Sequence, residues 1–377
     1  YSNSSTGAID VDIQNLDLMY GYNDFYLDSD GTDLRYTAGG ISCIADSSYP
    51  INLLVSDSWI HSNTGGMGGG IYASSECDLT VDNTSMYFNN AEDGGAIYAR
   101  SNVVLANAFI SNNVALNAGG GIYSRSNAYY PTLPNGTSGD LIPYSTIFAV
   151  DTDIQLNLSS YGGGAYLNTV GATLDTVNFL DNQADYGGGI YQKSSVTSLL
   201  GSSVTGNDAD TGSAIRLYGT DQNRMVCASS NNYGWPSTIT TNTGTSSSSA
   251  AIHITNSGSE FASYGCYIGT NSGAGTYSDV YNNEGPFSTN FSFPQDVIWS
   301  YDSTEYEELC TSSVGADQNN NGLIGWDDPW CAVDLETLVH SGQEMFPYTD
   351  PSCVPSSIDT NTFMAPMEAL SFSGCVE

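Results

Sequence analysis

Apolar and polar positions along this chain recur in blocks, not in the period of a helix or of an isolated hairpin. Glycine runs followed by an aliphatic residue and a tyrosine occur at Gly-Gly-Gly-Ile-Tyr 68–72, Gly-Gly-Ala-Ile-Tyr 94–98, Gly-Gly-Gly-Ile-Tyr 119–123, Gly-Gly-Gly-Ala-Tyr 162–166 and Gly-Gly-Gly-Ile-Tyr 187–191, with a weaker copy at 212–218. The aliphatic marker falls at Ile71, Ile97, Ile122, Ala165, Ile190 and Ile215, in steps of 26, 25, 43, 25 and 25 residues. The long step is one 25-residue repeat carrying an 18-residue insertion. Outlying copies are read at Ile9, Ile41 and Ile252. A second element is locked to the first: an apolar residue, two others and an asparagine. It runs Ile60–Asn63, Met86–Asn89, Phe109–Asn112, Ile154–Asn157, Phe179–Asn182, Val204–Asn207 and Ile239–Asn242. The asparagine precedes the marker by eight residues in five copies and by ten in two.

A period near 25 residues is too short for paired-helix repeats, and the repeats are rich in Gly and β-branched residues. It suits one coil of a parallel β-helix built from three short strands. Coils would stack about 4.8 Å apart, so ten coils would make a rod of about 50 Å. Each position then sits above its own copy. The marker aliphatics are expected to form one internal row and the Phe/Met/Val positions another. The asparagines are expected to stack as an amide ladder at a corner. Glycine fits where the chain turns with φ > 0 or where strands approach closely. The tyrosine after each marker points the opposite way along its strand. Tyr72, Tyr98, Tyr123, Tyr166 and Tyr191 are therefore expected as an external stripe.

Together the Gly-Gly-Ala-Ile and Phe-x-x-Asn motifs, over roughly residues 55–255, resemble the repeats of the polymorphic outer membrane proteins of chlamydiae. The resemblance implies a right-handed parallel β-helix, displayed at the cell surface and used in adhesion. Two departures stand out. Most Gly-Gly-Ala sites read Gly-Gly-Gly here, and the alternating apolar strands of an outer-membrane barrel are missing.

Composition narrows the function. The 377 residues carry 41 acidic and 6 basic side chains, a net charge of -35. A chain this anionic cannot neutralise phosphates, which excludes nucleic acid, and it is a poor partner for anionic membranes and polyanionic glycans. At 40% hydrophobic and 11% aromatic residues the chain can still build a core. No apolar run reaches the length of a transmembrane helix. The chain starts at Tyr1 and reads as a processed or excised piece of a secreted protein. Eight cysteines beside three histidines disfavour a zinc cluster and point to disulfides in an extracellular or cell-surface location. Cys227 and Cys266 follow their markers by 12 and 14 residues and are expected to pair across neighbouring coils, with Cys43 and Cys77 the next pair.

The repeat region spans residues 1–294, with insertions near 127–145 and 219–238. From about 295 the glycine runs stop and acid, Pro, Trp and Cys increase. Cys310, Cys331, Cys353 and Cys375 are spaced by 21 or 22 residues, as in a small, irregular disulfide-bearing cap or module. Within it, Asp317, Asn319, Asn321, Gly322 and Asp328 fit a calcium loop, with the Leu323 carbonyl at the seventh position. It resembles the loops of dockerins and thrombospondin type 3 repeats. Two neutral asparagines and a closing Asp imply weak Ca2+ binding, about 10⁻⁴–10⁻³ M, suited to extracellular calcium. Residues 334–341 read as a short helix.

A catalytic reading has thin support. Asp151 and Asp153 lie two apart beside the long insertion, and would share a face of a strand as a glycosidase carboxylate pair. His61, His253 and His340 have no Ser or Cys partner by spacing, so a hydrolytic triad has no support. Sequons occur at Asn3, Asn83, Asn135, Asn157 and Asn290. Asn135, in the long insertion, is the expected glycan site, whereas Asn157 is a ladder position where a glycan would not fit. The sequence reading is a secreted structural or adhesive surface protein with a glycan or cell-surface ligand. A polysaccharide-active β-helix enzyme and a head-to-tail homopolymeric filament remain as alternatives.

Overall fold

In the computed structural model the described residues are 8–23, 38–45, 47–126, 128–129, 142–143, 145–219, 223–228, 237–246, 249–255, 259–264, 266–273 and 280–282. Every regular element among them is a strand. Apart from one antiparallel hairpin, Ala128–Tyr129 with Ile142–Pro143, all ladders are parallel. The strands form a sixteen-stranded, a nine-stranded and a seven-stranded sheet, and each strand pairs with the one about a coil further on. The described residues form a parallel β-helix of nine coils, counted on the nine-stranded sheet.

One coil shows how the sequence makes the shape. Gly171–Leu180 forms two faces joined at Thr176, which takes φ 54°. A second left-handed residue, Asp181, turns the chain into Gln183–Tyr186. Gly187 then turns it into Ile190–Lys193, and Ser194 returns it to the start of the next coil. The same corners repeat above and below. The first is built by Asn15, Asp57, Asn83, Asn107, Asp151 and Thr176; the second by Tyr20, Ser62, Phe88, Asn112, Leu156, Asp181, Thr241 and Thr270.

In-register stacking turns each position into a row. Leu53, Leu79, Val103 and Ile147 lie over one another, as do Val55, Val81, Leu105, Ala149, Leu174 and Leu199. The marker row runs Ile41, Ile71, Ile97, Ile122, Ala165, Ile190, Ile215 and Ile252. Ile41 and Ile252 thus belong to it. Ile9 does not: it pairs with Ile51 on the sixteen-stranded sheet. These rows merge into one buried aliphatic core along the rod. The third glycine of a run makes room for the second apolar row, because a Cβ on Gly164 would lie 2.8 Å from Phe179 Cδ1.

The asparagine ladder is built as the motif requires, with one change of frame. Each Oδ1 accepts the backbone N–H and the side-chain amide of the asparagine one coil back, as Asn182 does from Asn157 at 3.0 Å each. The members are Asn63, Asn89, Asn113, Asn157, Asn182, Asn207, Asn242 and Asn271. Asn113 replaces the expected Asn112, and Ile110 replaces Phe109 in the apolar row, pairing with Met86 and Ile154. Asn112 is the left-handed corner residue before it. A matching hydroxyl ladder follows the first corner: Ser58 N donates to Thr84 Oγ1, Val177 N to Ser202 Oγ and Ser202 N to Ser237 Oγ.

Two disulfides clamp neighbouring coils, Cys43–Cys77 and Cys227–Cys266, with Cα separations of 6.1 and 5.6 Å. Each closes a loop of 34 or 39 residues, a constraint of about 3–4 kcal/mol. Cys227 lies in a regular strand, Asn223–Ala228, so only parts of the segment 219–238 interrupt the repeat. The proposed cap from 295, with its calcium loop Asp317–Asp328, Cys310, Cys331, Cys353 and Cys375, lies outside the described residues, as do Asn3, Asn135, Asn290 and His340.

Candidate functional site

The expected external tyrosine stripe is corrected by the structure. Tyr72, Tyr98, Tyr123 and Tyr191 point away from the aliphatic core, yet all four are buried. The left-handed glycine before each marker folds the preceding residue back over the ring. Ala118 and Met67 thereby join Tyr72, Tyr98, Tyr123 and Tyr166 in a second apolar cluster outside the main core. The rings stack at 5.6, 4.7, 4.9 and 5.2 Å from Tyr72 to Tyr191, the last pair being Tyr166 and Tyr191.

Burial pushes the phenol of Tyr191 up to about 12, and those of Tyr98, Tyr123 and Tyr166 up as well. Below about pH 10 the folded and unfolded chains both keep these protons. Above it the unfolded chain releases protons that the folded chain retains, so stability falls as pH rises from about 10. We expect the thermal midpoint to drop steeply above that pH, with the tyrosinate absorbance that belongs to the stacked rings appearing only together with unfolding. A midpoint that stays level from about pH 10 upward would contradict the buried stack.

The expected carboxylate pair does not share a strand face. Asp151 takes φ 47° at the first corner, and Asp153 lies on the next face. Each accepts a hydrogen bond from the following coil, Asp151 from Thr176 Oγ1 at 2.6 Å and Asp153 from Asn178 Nδ2 at 2.8 Å. Asn157 is fully enclosed in the ladder, as expected, and Asn83 is an exposed corner residue. Among the described residues no group of three or more His, Cys, Asp or Glu is placed to hold a metal.

The surface feature that stands out is a strip of exposed rings on the first three coils. Tyr20 is 74% exposed, Tyr22 69%, Phe88 60% and Trp59 55%, with Met19 beside them. His61 joins them: its ring stacks on Tyr87 at 4.6 Å and meets the edge of Tyr20 at 6.5 Å. His61 Nε2 lies 3.0 Å from Asp17 Oδ1, which fixes the imidazole plane against the strip. Phe88 in turn packs edge-on against Tyr87 at 5.6 Å. Trp59 lies in one column with Asp17, Ser85, Phe109 and Asp153. That column leads, past Ser85 and the half-buried Phe109, to Asp153.

No family model, no curated protein and no solved structure matches the chain.

The argument for the strip is therefore physical. Tyr20 and Phe88 have φ of 60° and 54°, a conformation that costs a residue with a Cβ about 1–2 kcal/mol. Of the other residues at this corner, Ser62, Asn112, Asp181, Thr241 and Thr270 are small or polar and suited to such turns, and Leu156 alone is a large apolar residue. Large rings there add strain and leave apolar surface in water, so folding gains nothing from them. Contiguous exposed apolar surface of this kind marks a binding face. The sequence pattern held the signal: once the inward rows are assigned, Trp59, Tyr87 and Phe88 remain as aromatics at outward positions.

Proposed function

We propose that this protein is a non-enzymatic, extracellular adhesive β-helix whose first coils hold a neutral polysaccharide on the Tyr20–Trp59–Phe88 strip. The observation that carries this reading is the exposure of these rings on a rigid, disulfide-clamped ladder. Flat rings offer their faces to the apolar faces of sugar rings, while Asp17 and the His61 edge offer hydrogen-bonding groups to hydroxyls. Neutral sugars are favoured because the chain carries a net charge of -35. The ladder holds each side chain before the ligand arrives, which lowers the entropy cost of binding.

The test is retention of the full chain on insoluble cellulose, chitin and xylan, with the Trp59→Ala/Phe88→Ala variant alongside. Loss of two stacking contacts should weaken binding by about 30- to 100-fold. The thermal midpoint should not fall, because neither ring is buried. If the wild type is retained on none of these polymers, or the variant binds as well as the wild type, the reading fails. Release of soluble sugar would instead favour the enzyme.

A further inference from the structure

The basic residues are few and unevenly placed. Of six Lys and Arg, four lie on the outer side of the nine-stranded sheet: Arg100, Arg125, Lys193 and Arg216. Arg125 pairs with Asn168, and Asn168 with Lys193, so these three form one column. Arg100 extends it by one coil, directly after the Ile97–Ala99 strand that pairs with Ile122–Ser124. Among the described residues none of the four is ion-paired to a carboxylate, in a chain with 41 acids. Two are held in place by neutral groups. Arg125 lies against the Tyr98 and Tyr123 hydroxyls, with the Asp93 carboxylate within electrostatic reach but not ion-paired, and Arg216 donates to Thr211 Oγ1 with its guanidinium 5.0 Å from the Tyr186 ring centre.

At the far end of the next face stand carboxylates. Arg100 precedes the strand Val103–Ala106, and Lys193 precedes Val196–Leu200. Those strands end at the first corner, where Asp57 and Asp151 are exposed; Asp82, half-buried, stands one residue before the corner, in register with Ser56. Each of the three accepts a hydrogen bond from a neutral side chain, Asn83, Asn107 and Thr176 respectively for Asp57, Asp82 and Asp151. Counting coils on the nine-stranded sheet, Arg100, Arg125 and Lys193 occupy the third, fourth and sixth. On the faces that precede those sheet strands, Asp57, Asp82 and Asp151 occupy the second, third and fifth. Both sets step by one coil and then by two, with Asp82 displaced by one residue along its strand.

The geometry points to a second copy of this chain as the partner of the cation column, docked side by side. A translation along that face, offset by one coil, brings Arg100 to Asp57, Arg125 to Asp82 and Lys193 to Asp151 of the neighbour. The coil steps match because both sets are fixed by the same coil spacing, and the Asp82 side chain has one residue's offset to span. The two patches differ, so the contact is heterologous and repeats without closing, giving a flat array of parallel rods. Net repulsion does not forbid it. The Debye length is about 8 Å at physiological salt, so charges on the far sides are screened and the contact decides. This inference goes beyond adhesion and does not depend on it.

The experiment uses the full chain in sedimentation velocity and negative-stain microscopy at rising concentration. One variant carries Arg100→Glu/Lys193→Glu, the other Asp57→Lys/Asp151→Lys. Arg125 is left alone because it serves the buried tyrosines. Wild type should associate laterally. Each variant alone should need about a hundredfold higher concentration, since like charges then face each other. An equal mixture of the two should assemble again, because each variant presents what the other lacks. An Asp57→Asn/Asp151→Asn variant covers the case in which lysine is not tolerated at the corner. Asparagine already occupies it at Asn83 and Asn107, and this variant should also associate more weakly than wild type. A wild type that stays monomeric throughout, or variants that assemble as it does, would overturn the proposal. The Trp59→Ala/Phe88→Ala variant keeps every charge, so lateral assembly of both proteins with no difference between them in polysaccharide retention would sink adhesion alone.

Discussion

Asn182→Ala should lower folding stability by about 4 kcal/mol, the largest effect expected of any single polar substitution in the rod. Asn182 Oδ1 accepts from the Asn157 backbone N–H and from Asn157 Nδ2, both at 3.0 Å. Its own Nδ2 donates to the Ile154 carbonyl at 2.8 Å and to Asn207 Oδ1 at 3.0 Å. Alanine removes all four bonds at a site with no water access. The Asn157 N–H then has no acceptor, its amide loses one of two partners, and Ile154 loses a donor. Buried groups left in this state cost about 1–3 kcal/mol each. The ladder couples neighbouring coils, and solenoid stability is a sum of nearest-neighbour terms. A break in mid-stack should therefore also broaden the denaturant transition. Asn112→Gly is the control. The Asn112 side chain bonds only its neighbour Ser111, and the residue sits at a left-handed corner that glycine accepts, so the change should be within about 0.5 kcal/mol of neutral. Equal costs at Asn112 and Asn182 in denaturant melts would refute the ladder assignment.

Gly163→Ala should be as damaging, by a different route. A Cβ at this position would lie 2.5 Å from the Gln183 carbonyl oxygen and 2.6 Å from that of Gly188, both backbone atoms of the next coil. Neither can rotate away, so two strands of the adjacent coil would have to move apart. Overpacking against backbone costs about 3 kcal/mol or more. Gly187→Ala adds a left-handed penalty to its clash, since φ is 67° and the Cβ would stand 2.6 Å from the Ile190 oxygen. By contrast, Gly269→Ala meets only the Tyr267 ring, at 3.3 Å or more, and should be tolerated. If calorimetry finds Gly163→Ala no worse than Gly269→Ala, close strand approach is not why the glycine runs recur.

Much of the fold was legible because a stacked repeat converts spacing into position. The marker row and the Cys227–Cys266 disulfide follow from offsets alone, and Cys43–Cys77 is the next pair once these two are joined. The frame at Asn112 and Asn113 did not. Phe109 and Ile110 are both apolar and the asparagine is doubled, so two frames satisfy the same pattern. Only the pairing of Ile110 with Met86 and Ile154 selects one. The tyrosines failed differently. Alternation correctly turned them away from the core, but burial depended on the residue before each glycine folding back over the ring. Asp151 and Asp153 were read as a strand pair, and the left-handed corner between two faces separated them.

What the sequence by itself determined is the coil: its length, its inward rows, its amide ladder and the cysteines that meet across it. Those features are periodic, and periodicity survives without knowledge of the path between repeats. What only the tertiary structure decided is what lies around each coil. The exposed strip of Tyr20, Trp59 and Phe88 and the opposed columns of Arg100 and Asp57 depend on where each corner turns. A left-handed residue redirects every side chain after it, and that rotation leaves no periodic trace in the chain.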